Sequence, residues 1–283
     1  MVWMLKFAIT AIAAIGILKL AGGHEIPPLT TTTDGLNHAI AARYLNHPSH
    51  QAVIVGTSLS GRMLDDYFAP ANIENLALSG ESAVTGLKLV AEAAPAPKLV
   101  LIEANILGRP VNQDLIDRAT QTSVLRPIRT AAQYYENRRH PKSKEDVRAE
   151  VDRLIASSPS NAPDVELAKQ LFVEAQAAPQ QEAAQNTIAE IRKFKAILVS
   201  KGATVLLFHM PRSPDYEGTP LAAKSTKLAS DAFPSASDWL DIAVDRSELR
   251  WTDGMHLDPR SAALVARLIG HSADKFMASK TGS

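Results

Sequence analysis

The stretch Val53-Ile54-Val55-Gly56-Thr57-Ser58-Leu59-Ser60-Gly61 sets the reading of the chain. Ala52–Val55 is an unbroken apolar run that stops at a glycine, and a serine follows one residue later. A short continuous apolar run is what a strand covered on both faces looks like, because neither face has to be polar. A serine just past such a strand lies at the edge of an open α/β sheet where ligands bind. If a helix follows, its first turn adds free N–H groups and the positive end of a dipole. Two readings of Ser58 stay open on this segment alone: a nucleophile, or the N-cap of that helix.

Similar runs recur at Ile73–Leu78, Leu99–Glu103, Thr204–Phe208 and Trp239–Ile242. Helical patterns lie between or beside them, at Leu36–Tyr44, Ala83–Ala93, Ile188–Val199 and Arg260–Phe276. In the last of these Leu264, Val265, Leu268 and Ile269 share one face. Alternating strands and helices imply an α/β fold with a five-stranded parallel sheet, doubly wound. Residues 109–190 break the rhythm, being rich in Ala, Gln, Arg and Glu with no strand signal, and are expected to form a helical insertion. The expected organisation is therefore a leading segment 1–23, a linker and first helix 24–50, a first half-domain 51–108, the insertion 109–190 and a second half-domain 191–283.

Composition removes whole classes of chemistry. The chain of 283 residues has no cysteine, which excludes disulfide frameworks, thiolate metal sites and thiol catalysis. Lys+Arg and Asp+Glu are both 30, so no net charge draws the protein to nucleic acid, and none is expected as a partner. Neither a Gly-x-Gly-x-x-Gly turn, a Walker loop nor a His-Glu-x-x-His helix occurs. No metal or cofactor is expected. Ser60, where an α/β-hydrolase elbow needs glycine, rules that motif out. His38, His47 and His50 are irregularly spaced and read as surface residues.

At the amino end, Phe7–Leu18 is an apolar run flanked by Lys6 and Lys19, with small residues Ala21 and Gly23 before His24. That is the form of a signal peptide or of a membrane anchor, the latter if Lys6 and Lys19 reach back to the interface. Both place the rest of the chain outside the cytoplasm, periplasmic or tethered to the inner membrane; the alternative is a buried first helix of a soluble protein.

Near the other end stands Trp251-Thr252-Asp253-Gly254-Met255-His256-Leu257. An aspartate and a histidine three apart on a glycine-containing loop can touch, so that the carboxylate fixes the imidazole tautomer. The alternative is that Asp253 caps a turn and His256 packs under the last helix. Two further segments end at the same sheet edge: Gly80 follows the second strand and Asn105 the third. With the N–H of Ser58, the N–H of Gly80 and the amide of Asn105 supply three donors for one oxyanion. Their structural alternatives are a turn glycine and a helix-capping asparagine.

Taken together, these residues resemble the SGNH (GDSL-like) hydrolase superfamily. Gly56-Thr57-Ser58-Leu59-Ser60 is similar to its Gly-Asp-Ser-Leu-Ser block, Gly80 and Asn105 fall where its oxyanion glycine and asparagine stand, and Asp253-Gly254-Met255-His256-Leu257 is similar to its terminal Asp-x-x-His-Leu block. The likeness covers about residues 50–108 and 200–275. It implies a flavodoxin-like three-layer sandwich, Ser58 as nucleophile, His256 as base, Asp253 as orienting acid, and an oxyanion hole of Ser58, Gly80 and Asn105. Thr57, Glu103 and Ile106 depart from the family pattern, which has aspartate, glycine and aspartate there. In this the chain is more similar to the exported branch that includes alginate O-acetylation and teichoic-acid D-alanyl-transfer proteins. That likeness implies an acyl-ester donor, a glycan acceptor, the membrane through the N-terminal segment, and a membrane acyltransferase as partner. Arg62 and Arg212 are candidates for substrate contact. The cluster Arg126, Arg129, Tyr134, Tyr135, Arg138 and Arg139 is either a site for an acidic polymer or a solvated helix face. A plain carbohydrate or lipid esterase, and a non-catalytic glycan-binding scaffold, are the rival expectations.

Overall fold

A computed structural model describes residues 32–46, 51–120, 143–159 and 163–281. The expected signal or anchor, the Arg/Tyr cluster of 126–139, and His47 and His50 lie outside the described residues. Among the described residues no helix is long and apolar enough to cross a membrane. The chain divides into two units, Met1–Leu36 and Asn37–Ser283. Of the first, the described part is the opening of helix α1 (Thr33–Asn46), where the Leu36 N–H bonds the Thr32 carbonyl at 3.0 Å.

The second unit is built on strands β1 (Ala52–Gly56), β2 (Ile73–Ala77), β3 (Leu99–Glu103) and β4 (Thr204–Phe208). All pair parallel, in the order β2-β1-β3-β4. Consecutive parallel strands need a crossover, and helix α2 (Ala83–Glu92), its N-terminus capped by Ser82, carries the chain from β2 past β1 to β3. Helices α3 (Gln113–Thr120), α4 (Lys144–Ala156), α5 (Val165–Ala175) and α6 (Gln181–Ser200) come between β3 and β4. The described part of 109–190 is thus helical, with α6 continuing past it to carry the chain back to the sheet.

Successive strand residues point to opposite faces, and the core divides accordingly. Val53, Val55, Val100, Ile102, Val205 and Leu207 pack with Leu87 and Val90 of α2 and Ile188 and Phe194 of α6. Ile54, Leu99, Leu101, Leu206 and Phe208 pack instead with Phe68 and with Val265 and Ile269 of the last helix. Both faces of β1 and β3 are fully buried, which is why these strands carry no polar alternation.

Among the described residues the sheet has four strands, not the expected five. Trp239–Ile242 contributes one isolated bridge, Leu207 to Trp239, and one bond from the Leu240 N–H to the Leu207 carbonyl at 2.8 Å. Beyond Leu240 the chain leaves the ladder, with Asp241 and Ala243 exposed. An apolar run of two or three residues closes a sheet edge without extending it.

The winding reverses between β1 and β3, since the chain passes to β2 on one side of β1 and then to β3 on the other. A crevice at the carboxyl ends of these strands is where such a sheet accepts a ligand.

Candidate active site

Ser58 stands in the turn that leaves β1. The Gly61 N–H bonds the Thr57 carbonyl at 3.0 Å, and the helix expected after the serine is only a 3-10 turn, Ser60–Arg62. Its N-cap is Leu59, without a side-chain cap, so Ser58 caps no helix. So short a turn supplies little dipole.

The turn is held from two sides. On one, Asn75 of β2 donates its amide to the carbonyls of Ser60 and Met63, at 2.7 and 2.5 Å. On the other lies Glu103, the last residue of β3 and 1% exposed. Its Oε1 accepts from Thr57 Oγ1 at 2.8 Å. Its Oε2 accepts from the N–H of Thr57 at 2.9 Å, the N–H of Ser60 at 3.1 Å and the hydroxyl of Ser60 at 2.6 Å. Gly56 leaves room for this arrangement. A Cβ there would stand 2.1 Å from Ser60 Oγ and 2.7 Å from Glu103 Oε2.

The partner loop is closed at its base by an antiparallel bridge, Trp251 to Leu257, just before the last helix, α9 once the short α7 (Pro214–Glu217) and α8 (Pro220–Ala232) are counted; α9 spans Pro259–Thr281. Gly254 takes φ +75°, a conformation open to glycine at little cost. Asp253, 2% exposed, accepts the N–H groups of Met255 and His256 on Oδ1, at 3.0 and 2.7 Å. Its Oδ2 lies 2.7 Å from Nδ1 of His256. The two sequence readings of Asp253 are therefore not exclusive: one carboxyl oxygen caps the turn and the other fixes the imidazole. Burial alone would raise the Asp253 carboxyl, but the hydrogen bonds from the His256 ring, the His256 and Met255 amides and the nearby imidazole outweigh it, leaving it below the ordinary carboxylate range.

With Nδ1–H donated to Asp253, Nε2 of His256 is free to accept. It lies 2.8 Å from Ser58 Oγ. The structure thus brings Ser58, His256 and Asp253 into one hydrogen-bonded line. The hydroxyl is placed to lose a proton to the imidazole, and the resulting positive ring faces a buried anion.

Gly80 and Asn105 reach the same edge. Gly56 is level with Ala77 of β2, and the Leu78 N–H bonds the Gly56 carbonyl at 3.0 Å. Gly80 therefore follows β2 at about the height at which Ser58 follows β1. Gly80 is exposed at φ +80°, so its backbone conformation rather than crowding demands glycine. Among the described residues, neither its N–H nor that of Ser58 meets an acceptor. Asn105, 1% exposed, pairs both ends of its amide with the backbone of Met210. That leaves one amide hydrogen uncommitted.

Neither arginine hydrogen-bonds to Ser58, His256 or Asp253 among the described residues. Arg62 is exposed, with no hydrogen-bonding or ionic partner among the described residues. Arg212 is 4% exposed and directs its guanidinium to Thr226 of α8, 3.0 Å away, beside the ring of Tyr216. Sequence reading passed over Glu103 as a departure from a pattern. A usable signal was present, since an acid ending an otherwise apolar buried strand has to be hydrogen-bonded.

No family model matches the chain, and no curated protein matches it. Among solved structures, a Bacteroides fragilis protein provisionally described as an acylhydrolase aligns with 90% of this chain and 100% of its own, at 12% identity and a TM-score of 0.44. A likeness that low carries no argument about activity, which rests on the site itself.

Proposed function

We propose that this protein is a serine esterase or acyltransferase working through an acyl-serine. The observation that carries the reading is the line from Ser58 Oγ to His256 Nε2 at 2.8 Å and from Nδ1 to Asp253 at 2.7 Å. In the reaction, Ser58 Oγ attacks an ester carbonyl carbon as His256 takes its proton. The oxyanion is received by the N–H groups of Ser58 and Gly80 and the remaining amide hydrogen of Asn105, each worth about 2.7–4 kcal/mol in comparable holes. The tetrahedral adduct collapses, the bond to the alcohol oxygen breaks, and His256 returns the proton to that oxygen. Water or a second alcohol then attacks the acyl-serine by the same steps in reverse.

We further propose an acyl group carried on a sugar of an exported or cell-envelope polysaccharide, in a chain exported by its N-terminal segment. This finer reading is supported by the sequence resemblance and by the apolar run at residues 7–18. The test has two arms. A fluorophosphonate, which the serine oxygen attacks with loss of fluoride, is expected to label Ser58 of the folded protein; no labelling would favour a non-catalytic scaffold. Acetate release from an aryl acetate is then followed with and without an oligosaccharide. Faster release with an acylated sugar as product identifies a transferase, and indifference to every acceptor identifies a hydrolase.

A further inference from the structure

We infer that Glu103 is the positioning residue of the nucleophile: by accepting four hydrogen bonds from the residues on either side of Ser58, it fixes the turn in the shape that presents Ser58 Oγ to His256. The inference rests on the acyl-serine reading above.

The geometry is unusual in its economy. Thr57 precedes the serine, and Ser60 follows it by two. Both backbone N–H groups and both hydroxyls of these two residues donate to the one carboxylate, the Ser60 hydroxyl lying also 3.5 Å from the Thr57 carbonyl. Ser58 sits between the anchored residues, its own N–H left without an acceptor among the described residues. The carboxylate therefore does two things at once. It removes three neighbouring donors and a competing hydroxyl from the reaction space, and it sets the direction of the one hydroxyl it does not touch. Thr57 Oγ1 passes the constraint on by accepting the Leu59 N–H at 3.3 Å. Gly56 belongs to the same device, because a Cβ there would collide with both Ser60 Oγ and the carboxylate.

Position in the sheet supplies rigidity. Glu103 closes β3, a central strand buried on both faces and paired to β1 and β4. The clasp thus ties the loop that bears the serine to a central, fully buried strand of the sheet. Holding a reacting atom within a fraction of an ångström is where such a support acts, since a displacement of 1 Å costs on the order of a hundredfold in rate. Among the described residues Glu103 makes no hydrogen bond to Ser58, His256 or Asp253, so it acts through the turn that carries the serine.

The claim is about hydrogen-bond acceptance rather than charge, and this separates the variants. In Glu103→Gln the amide oxygen can replace Oε2 and keep its three donors, while the amide nitrogen can donate to Thr57 Oγ1. In Glu103→Leu no acceptor remains. The experiment measures kcat, KM and the rate of fluorophosphonate labelling at Ser58 for wild type and both variants, with the melting temperature recorded alongside. For Glu103→Leu, kcat and labelling are expected to fall on the order of a hundredfold with KM within about threefold. Glu103→Gln is expected to recover both to within about tenfold of wild type. If Glu103→Leu fails to fold, Thr57→Val combined with Ser60→Ala removes the two hydroxyl donors while keeping the carboxylate, and the same split of kcat from KM is expected at about tenfold. Full labelling in folded Glu103→Leu, or in the double variant when it stands in, overturns the inference; so does a Glu103→Gln as slow as Glu103→Leu. Absence of labelling in wild type would instead overturn the acyl-serine reading, so the two failures are distinct.

Discussion

Asn105 and Met210 are joined by two reciprocal hydrogen bonds, the side-chain amide donating to the Met210 carbonyl at 2.9 Å and the Met210 N–H donating to the amide oxygen at 2.7 Å. The end of β3 is thereby fastened to the loop after β4, and the residue assigned to the oxyanion hole is also a structural clasp. Asn105→Ala leaves two buried backbone groups of Met210 unpaired. A loss of stability of about 1–3 kcal/mol is expected for that reason. A fall in kcat of about 10²–10³-fold is expected for the lost donor. Urea unfolding and ester turnover read the two separately, and a variant that loses turnover with stability intact would remove the clasp from this account.

Ser58 shows the opposite balance. Ser58 is half-buried, and among the described residues its side chain's one bond is to His256. Ser58→Ala is expected to lower turnover on the order of 10⁴–10⁶-fold and to leave stability within about 1 kcal/mol. Turnover like that of wild type would sink the assignment of the nucleophile.

Asp253 links the site to acid stability. Its folded carboxyl titrates below the ordinary value of 3.8, because the bonds from His256 and Met255 outweigh the cost of burial. Its contribution is therefore fully present above about pH 4 and is lost as pH falls through the lower folded value. Asp253→Asn is expected to be less stable than wild type at pH 7, with the gap narrowing only below about pH 4. Unfolding curves from pH 7 to pH 2.5 check this, and a gap already closing at about pH 6 would contradict it.

His209 has the reverse sensitivity. Its ring stacks on Trp239 at 4.8 Å, and among the described residues neither ring nitrogen meets a partner. Burial first, and Arg212 second, pull it from 6.5 down to about 4, against a weaker opposite pull from Glu217. Between these values the unfolded chain holds a proton that the folded protein refuses, so stability declines as pH drops from 6.5 towards 4. His209→Phe keeps the stacking and removes the proton. Its stability is expected to vary less than that of wild type between pH 7 and pH 4.5, and parallel curves would refute this origin of the slope.

Gly56→Ala introduces a single methyl group against Ser60 Oγ at 2.1 Å. Something must shift, and the neighbours are the hydrogen-bonded clasp itself. A cost of about 1–3 kcal/mol is expected, as for other overpacked sites, with turnover falling further than a comparable loss of stability elsewhere would cause. Retained turnover in a destabilised Gly56→Ala would show that the turn tolerates movement.

Much of this was legible because the physics is local. The strands are written as mainly apolar runs, since burial on both faces favours them, with Glu74 and Asn75 in β2 and Glu103 at the end of β3 as polar exceptions held by partners. Ser58, Asp253 and His256 stand out because a strand end and a glycine-containing loop are where reactive side chains can be aimed. The fifth strand was misread because Trp239 and Leu240 are apolar for a different reason: one stacks on His209 and the other is buried at a sheet margin. Composition cannot distinguish a margin from a ladder. The direction of the Arg212 guanidinium, toward Thr226 and the Tyr216 ring, is one that no spacing rule encodes. Glu103 needed a partner, but which residues would supply it depends on how β3 aligns with β1, a register that tertiary packing sets.

The order of synthesis gives the arrangement of Ser58 and His256 a temporal meaning. The two are 198 residues apart, so a ribosome working at 5–20 residues per second makes the serine about 10–40 s before its base. Through that interval the emerging hydroxyl is an ordinary alcohol. Reactivity arrives in one step, when the histidine loop closes over a sheet whose strands have all been made.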